Sequence, residues 1–408
     1  MMEPTVRFPE FKGSWNNYKI EDMFDRVGTL VDLDDTQTYR EIGIRSHGKG
    51  IFHKEETTAT EIGNKRVFWV EPDCFVVNIV FAWERAVAKT TEKENGMIAS
   101  HRFPMYKPKK DVVDLDYITE YFITKRGQNV LILASPGGAG RNKTLGQKEF
   151  AKSIVKLPSL PEQQKIAEFL STIDTVIEKQ KETVSAWEER KKGVMQKLFS
   201  QEVRFKADDG SEFPEWEEKI LDEEGFFYGG LTGKNKDDFE KGNSKFITYM
   251  NVYKNTFANQ DMMGTVNVGI TEKQNKVLYG DILFTQSSET VEEVGLSSVY
   301  LYDDEPYLNS FCMGFRFNDL SNVCPKYMGY CMRSENIRKN IMLMGQGISR
   351  INLGAKRLKT VSYKIPCLAE QQKIADCLSS LDDVIEKQKA TLVAWEEMKK
   401  GLLQQMFV

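Results

Sequence analysis

The chain has 408 residues, with Lys+Arg 56, Asp+Glu 60 and a formal net charge of -4, which is length enough for two or three hydrophobic cores. That balance excludes a small scaffold and a globally disordered chain. No run approaches the ~18–20 apolar residues of a membrane span, and residues 1–13 are too polar for a signal peptide, so the cytoplasm is the expected compartment. The cysteines Cys74, Cys312, Cys324, Cys331, Cys367 and Cys377 form no Cys-x-x-Cys pair and read as reduced core thiols rather than metal or redox ligands.

Residues 1–28 carry Phe8-Pro9-Glu10, Trp15 and Lys19-Ile20, which return later as Phe213-Pro214-Glu215-Trp216 and Lys219-Ile220. From about 29 to 156, short β-branched and aromatic runs such as Phe75-Val76-Val77-Asn78-Ile79-Val80 alternate with Gly and Asp. They predict a mixed, mainly β region with a helix near Asp116 to Lys125. A second such region, about 229 to 364, contains Lys245-Phe246-Ile247-Thr248-Tyr249-Met250 and a helix expected over Pro325 to Ile341. The two regions share only a skeleton: Asn64-Lys65 with Asp73 against Asn275-Lys276 with Asp281, and Leu145-Gly146 against Leu353-Gly354.

Each region is followed by a repeated segment. Pro158 to Phe199 and Pro366 to Phe407 align without a gap at a shift of 208 residues, with 27 identical positions. Such self-similarity marks a duplicated unit. In the first copy Ile166, Leu170, Ile173, Ile177, Gln180, Val184, Trp187, Lys191, Val194 and Leu198 recur at alternating steps of four and three. The second copy repeats the stripe with Ile374, Leu378, Leu381, Ile385, Gln388, Leu392, Trp395, Lys399, Leu402 and Met406. This is a heptad seam, and it predicts two long helices paired antiparallel about a pseudo-two-fold axis, with the variable regions at opposite ends of a rod. Gln180 and Gln388 either select register or tolerate a partly wet layer, and Gly193 and Gly401 mark either a close contact or a loss of helix. The fold class is α+β: two mixed, mainly β domains separated by two long helices forming an antiparallel coiled coil.

Charge is unevenly distributed. Residues 29–156 hold 20 basic and 17 acidic side chains and residues 229–364 hold 17 and 14, so each region is +3 within a chain of -4. A polyanion is the favoured partner for both. Gly43-Ile44-Arg45-Ser46-His47-Gly48-Lys49 has phosphate-loop spacing, but Gly50 stands where Ser or Thr would bind Mg²⁺. A loop facing nucleic acid with Arg45, His47 and Lys49 is the better reading. Ser135 to Lys143 is Gly-rich, its counterpart Gly345 to Asn352 has no such cradle, and a backbone contact to DNA from Arg141 or Arg350 stays open. The three histidines have no ligand or triad spacing, no Asn-Pro-Pro-aromatic or Asp-Pro-Pro-aromatic methyltransferase motif occurs, and no catalytic residue is assigned.

With Leu-Pro-Ser-Leu-Pro-Glu-Gln-Gln-Lys-Ile-Ala opening one long helix and Ile-Pro-Cys-Leu-Ala-Glu-Gln-Gln-Lys-Ile-Ala the other, this duplicated chain resembles the specificity subunit of type I restriction-modification systems. Further matches are Phe213 to Trp216, Phe246 to Val252 and Gly280 to Ser288. The resemblance implies domains at 29–156 and 206–364 that each recognise one half of a bipartite, asymmetric double-stranded DNA target. Residues 1–28, the central helix segment 157–205 and the C-terminal helix segment 365–408 form the conserved scaffold. It implies no catalysis or cofactor in this chain. Two modification subunits would bring S-adenosylmethionine and methylate adenine; restriction subunits would bring ATP and Mg²⁺. Candidate DNA-reading residues are Arg45, His47, Lys49, Arg85, Arg102 and Lys107 in the first domain. In the second they are Asn251, Tyr253, Lys254, Gln286, Ser287, Ser288, Thr290 and Arg350. Two other classes fit the sequence without the resemblance: a self-sufficient DNA-binding regulator and a coiled-coil adaptor with no DNA role.

Overall fold

Short strands on either side of each variable region close it off. In the computed structural model, which describes residues 4–137, 143–239 and 242–407, Asn16–Lys19 pairs antiparallel with Ile154–Leu157, and Glu217–Ile220 pairs antiparallel with Ser362–Ile365. The chain divides into two units, Met1–Lys181 with Ala390–Val408, and Glu182–Lys389.

Within the first unit, one antiparallel sheet runs Phe24–Val27, Met105–Pro108, Phe75–Val77, Val87–Lys89. The second runs Ile51–Thr58, Thr38–Ile44, Ile98–Ser100, Val67–Trp69, with its two middle strands parallel. The second unit repeats both orders. Its antiparallel sheet is Gly225–Gly229, Cys312–Phe317, Ile282–Thr285, Ser297–Val299. Its other sheet is Met263–Val266, Ser244–Ile247, Tyr307–Leu308, the last pair parallel, with a single bridge from Lys276 to Tyr307 where a fourth strand would lie. Identical strand order from diverged sequences confirms that the fold is duplicated. The sheets pack on helices around Phe75, Tyr117, Phe122 and Phe150 in one unit and Phe284, Phe315, Tyr327 and Met328 in the other, all fully buried.

Several sequence expectations need correction. The helix expected over Asp116 to Lys125 is Leu115–Ile123, and a second comes at once as Lys125–Leu133. Thr124 separates them: extended itself, it accepts the Gly127 N–H on its hydroxyl as N-cap. The helix expected over Pro325 to Ile341 is likewise two, Pro325–Met332 and Glu335–Leu343, parted by extended Ser334. The strand read into Lys245 to Met250 ends at Ile247, because Thr248 caps a helix, Tyr249–Lys254, through the Asn251 N–H. Phe75 to Val80 is strand only to Val77. Arg141 lies outside the described residues.

The repeated segments form the helices Leu160–Phe199 and Leu368–Met406. Every position of the two seams is buried or half-buried. The first part of the central helix meets the end of the C-terminal helix in the first unit, where Lys399 bonds both Asp174 oxygens at 2.8 Å. In the second unit Lys191 bonds Asp382. These are the same two residues at the 208-residue shift, so the antiparallel pairing obeys the repeat. Gly193 and Gly401 mark neither a close contact nor a helix end, since both helices run through them and an added Cβ would meet nothing within 4 Å.

The Glu-Gln-Gln sequences explain themselves in this setting. Gln163 accepts the Asp114 N–H and donates to the Val112 and Pro158 carbonyls; Gln371 accepts the Cys324 N–H and donates to Asn322 and Pro366. Each buried amide thus locks a long helix to the helix pair of its own variable region. Cys74, Cys312, Cys324 and Cys331 are buried thiols as expected, whereas Cys367 and Cys377 are half-exposed. Burial pushes Cys74 up to about 11 and Cys312 and Cys331 up to about 12.

Candidate nucleic-acid interface

The repeated topology places four connections together in each unit, and most candidate residues lie on them. In the first unit these are the hairpin turn at 45–50, the segment 78–86, the link around Arg102 and the approach to Leu145. Backbone bonds join them: His47 N–H to Glu84 O, Gly48 N–H to Arg85 O, Ile79 N–H to Arg102 O and Leu145 N–H to Ile79 O. The second unit makes the corresponding bonds, Gln286 N–H to Phe311 O and Leu353 N–H to Gln286 O. Ile79 therefore corresponds to Gln286, Arg102 to Phe311 and Leu145 to Leu353.

The first cluster is basic. Arg45, His47 and Lys49 are exposed around a tight turn with positive φ at His47, Gly48 and Gly50. Arg45 stacks over Phe52 with its guanidinium carbon 4.9 Å from the ring centre. The strand on either side excludes the phosphate-loop reading, which needs a helix after the turn. Gly48 is demanded twice over, by its φ of +68 and because a Cβ would lie 2.7 Å from Ile123. Half-buried Arg85 also has positive φ and donates to the Ile123 carbonyl at 3.1 Å. Arg102 is exposed. Lys107 does not join the group: its ammonium bonds the Pro72 carbonyl at 2.7 Å, at the opposite end of its sheet.

In place of the hairpin turn the second unit has the excursion 248–262 with its helix Tyr249–Lys254. It borders a cleft of about 430 Å³ walled by Tyr249, Tyr253, Ser287, Glu289, Phe311 and Arg350. Tyr249 and Tyr253 stack with centroids 6.1 Å apart and planes 18° from parallel. The Tyr249 hydroxyl donates to the Ser287 carbonyl at 2.6 Å, and the Tyr253 hydroxyl donates to Glu293. That bond to a carboxylate holds the Tyr253 phenol above its ordinary pKa. The Ser288 hydroxyl closes on the Thr290 carbonyl at 2.6 Å. Lys254 and Thr290 are exposed, and Gln286 is half-buried.

Asn251 is not available for DNA. It is fully buried, and its amide accepts the Asn259 N–H at 2.8 Å while donating to the Asn259 carbonyl at 2.7 Å. The sequence signal for it was amide chemistry, which serves a buried loop as well as an adenine edge. Two positioning residues were missed. Arg333 donates to the Val252, Tyr253, Asn255 and Ser297 carbonyls, and Arg338 to those of Glu292, Val294 and Gly295. Burial brings both guanidiniums down to about 10. They fix the cleft walls to the helix pair, and only their polar type, which reads as surface, was visible in the sequence.

Against known proteins, residues 14–185 and 215–393 both match the family described as type I restriction modification DNA specificity domain. The chain belongs to that family. Curated relatives from Methanocaldococcus jannaschii are the type I restriction enzyme MjaVIII specificity subunit and its MjaX counterpart. The first is 25% identical over 63% of this chain and 62% of its own length, so the chain spans a little over three fifths of it; the second is 24% identical over 73% and 68%. A solved structure from work on complex assembly and conformational transition of a type I restriction-modification system superposes with a TM-score of 0.60 at 15% identity, covering 98% of both chains. The HsdS subunit of Thermoanaerobacter tengcongensis gives 0.51 at 14%, covering 97% of both. The specificity-family fold thus extends over the whole chain. Among the described residues no group of His, Cys, Asp and Glu is placed to hold a metal ion, and no helix is long and apolar enough to cross a membrane.

Proposed function

We propose that the chain binds double-stranded DNA and reads a bipartite, asymmetric target, one half through each cluster of connections. The observation that carries this is the pairing of identical topology with different chemistry: the same four connections form a basic turn in one unit and an aromatic, charged cleft in the other. Equivalent placement supports one kind of ligand at both sites, and different side chains support different base sequences. The scaffold would recruit two modification subunits and the restriction subunits. Methyl transfer from S-adenosylmethionine, and the steps that use ATP and Mg²⁺, belong to those partners; this chain supplies recognition.

Mapping methylated adenines in cells that carry the chain with its modification subunit tests the reading. Exchange of residues 206–364 for those of another family member should change one half of the target and leave the other. A palindromic target, or a change in both halves, would overturn it. The long helices would set the unread spacer. Four residues inserted after Lys181 turn the remainder of the helix by about 40° beyond a full revolution, close to the twist of one base pair, and add about 6 Å against its rise of about 3.4 Å, a difference that a tilted or bent rod absorbs. The expected target keeps both halves and gains about one base pair between them. An active variant with an unchanged spacer places the ruler elsewhere.

A further inference from the structure

The second cleft is lined by more polar groups than it can offer to a ligand. The Tyr249 and Tyr253 hydroxyls, the Ser288 hydroxyl and the Glu293 carboxylate are all engaged within the chain. Of the charged side chains, Arg350 and Glu289 remain: both exposed, both on the cleft wall, and neither side chain bonded to another group among the described residues. Although opposite in charge and lining one cleft, they do not pair with each other, so each keeps its full hydrogen-bonding capacity.

A free carboxylate on a wall that faces DNA is repelled by the phosphates unless it accepts from a base amine. Cytosine N4 presents such an amine in the major groove, and the guanine opposite presents O6 and N7, the two acceptors that an arginine fork spans. We infer that Arg350 and Glu289 make the second recognition region specific for a G·C base pair, Arg350 taking the guanine and Glu289 the cytosine; this rests on the proposed reading of DNA by that cleft. The turn at 45–50 in the first unit contains no carboxylate, and Glu84, which is bonded to that turn, accepts the Ser46 hydroxyl at 2.8 Å.

The test uses the chain in complex with its modification subunit, on synthetic duplexes carrying the mapped target. Each guanine in the second half is replaced in turn by 7-deazaguanine, which lacks the N7 acceptor, and each cytosine by 2-pyrimidinone, which lacks the amine. Affinity should fall about tenfold or more at one guanine and at the cytosine paired with it. The Arg350→Ala complex should be insensitive to the guanine change and the Glu289→Ala complex to the cytosine change. A second half without a G·C pair, a wild-type complex indifferent to every analogue, or an Arg350→Ala complex that keeps the full guanine penalty would each overturn the inference. Because the analogue scan uses the wild-type complex, a variant that binds nothing still leaves a decisive result. Loss of sequence preference in both halves of the wild-type complex would instead sink the reading of DNA itself.

Discussion

The corners where the two long helices begin show how a duplicated scaffold can keep one design and differ in strength. In the second unit Glu370 is fully buried and accepts from Arg204 Nε and Nη2 at 3.2 and 2.8 Å and from the Trp216 indole N–H at 3.1 Å. In the first, Glu162 accepts from Arg7 Nε and Nη2 at 2.7 and 2.8 Å, while the indole N–H of buried Trp15 finds no acceptor among the described residues. The helix pairs differ similarly. Lys399 answers both Asp174 and half-buried Glu120. At the Glu120 position the second unit has Tyr330, whose hydroxyl donates to Asp382 at 2.7 Å and over whose ring Lys191 sits at 5.2 Å. A carboxylate has become a phenol, and a three-charge cluster has become one ion pair with a hydrogen bond. The lesson is that the repeat conserves the hydrogen-bonded corner, not the particular donors and acceptors that fill it.

Substitutions at equivalent positions should break this equivalence unequally. Glu370→Ala removes the carboxylate that a guanidinium and an indole N–H share, and should lower stability by about 4 kcal/mol in urea denaturation; Glu162→Ala should cost about 3 kcal/mol. Equal losses would mean that the tryptophan bond contributes nothing. Lys399→Met leaves Glu120 and Asp174 together without a cation and should cost about 2 kcal/mol, against about 1 kcal/mol for Lys191→Met, where the Tyr330 hydroxyl still serves Asp382. Hydrogen exchange resolved by unit assigns each loss to its own half. Trp216→Phe should cost about 1.5 kcal/mol, and Trp15→Phe should be neutral or slightly stabilising because it removes an unmatched donor.

The smallest expected effect is on pH dependence. Burial holds the Glu120 carboxyl above its ordinary value of 4.5, against the pull of Lys399. A carboxyl raised in the folded state favours folding most at pH below that ordinary value and loses the contribution as pH rises through the raised one. The first unit should therefore lose a little stability from about pH 4 towards neutrality. Tyr330, whose phenol burial pushes further up, gives the second unit no such slope. Glu120→Gln should flatten the profile of exchange protection against pH in the first unit alone; a slope that survives would place its origin in another group.

The duplication, the long helices and their seam were legible because a heptad stripe and 27 identical positions survive in the sequence. Arg7 and Arg204 were not, although they hold equivalent glutamates. They stand at different distances before Trp15 and Trp216, so the repeat aligns them only in three dimensions. Chemistry misled at Asn251, where the amide that fits adenine also fits a buried loop. It misled at Lys107, whose ammonium a backbone carbonyl takes. Tyr249, Phe311 and Glu289 carried no signal as wall residues, since the cleft is assembled from connections far apart in the chain. The loop set at Arg45, His47 and Lys49 was readable because three exposed basic residues occupy alternate positions of one hairpin turn.

The first unit takes residues from both sides of the second. Met406 and Phe407 are buried in its core, where Phe407 packs on Tyr117 and Tyr121, and the Thr5 and Val6 N–H groups both bond the Gln405 carbonyl. On the ribosome, Glu182–Lys389 must be made before Ala390–Val408 can arrive, on the order of ten to forty seconds after the first recognition region has emerged. The second unit, contiguous in sequence, can close as it is made. The first must wait with Tyr117 and its neighbours uncovered. Translation order and folding order are thus inverted, and the earliest-made half is the one that a chaperone would hold longest.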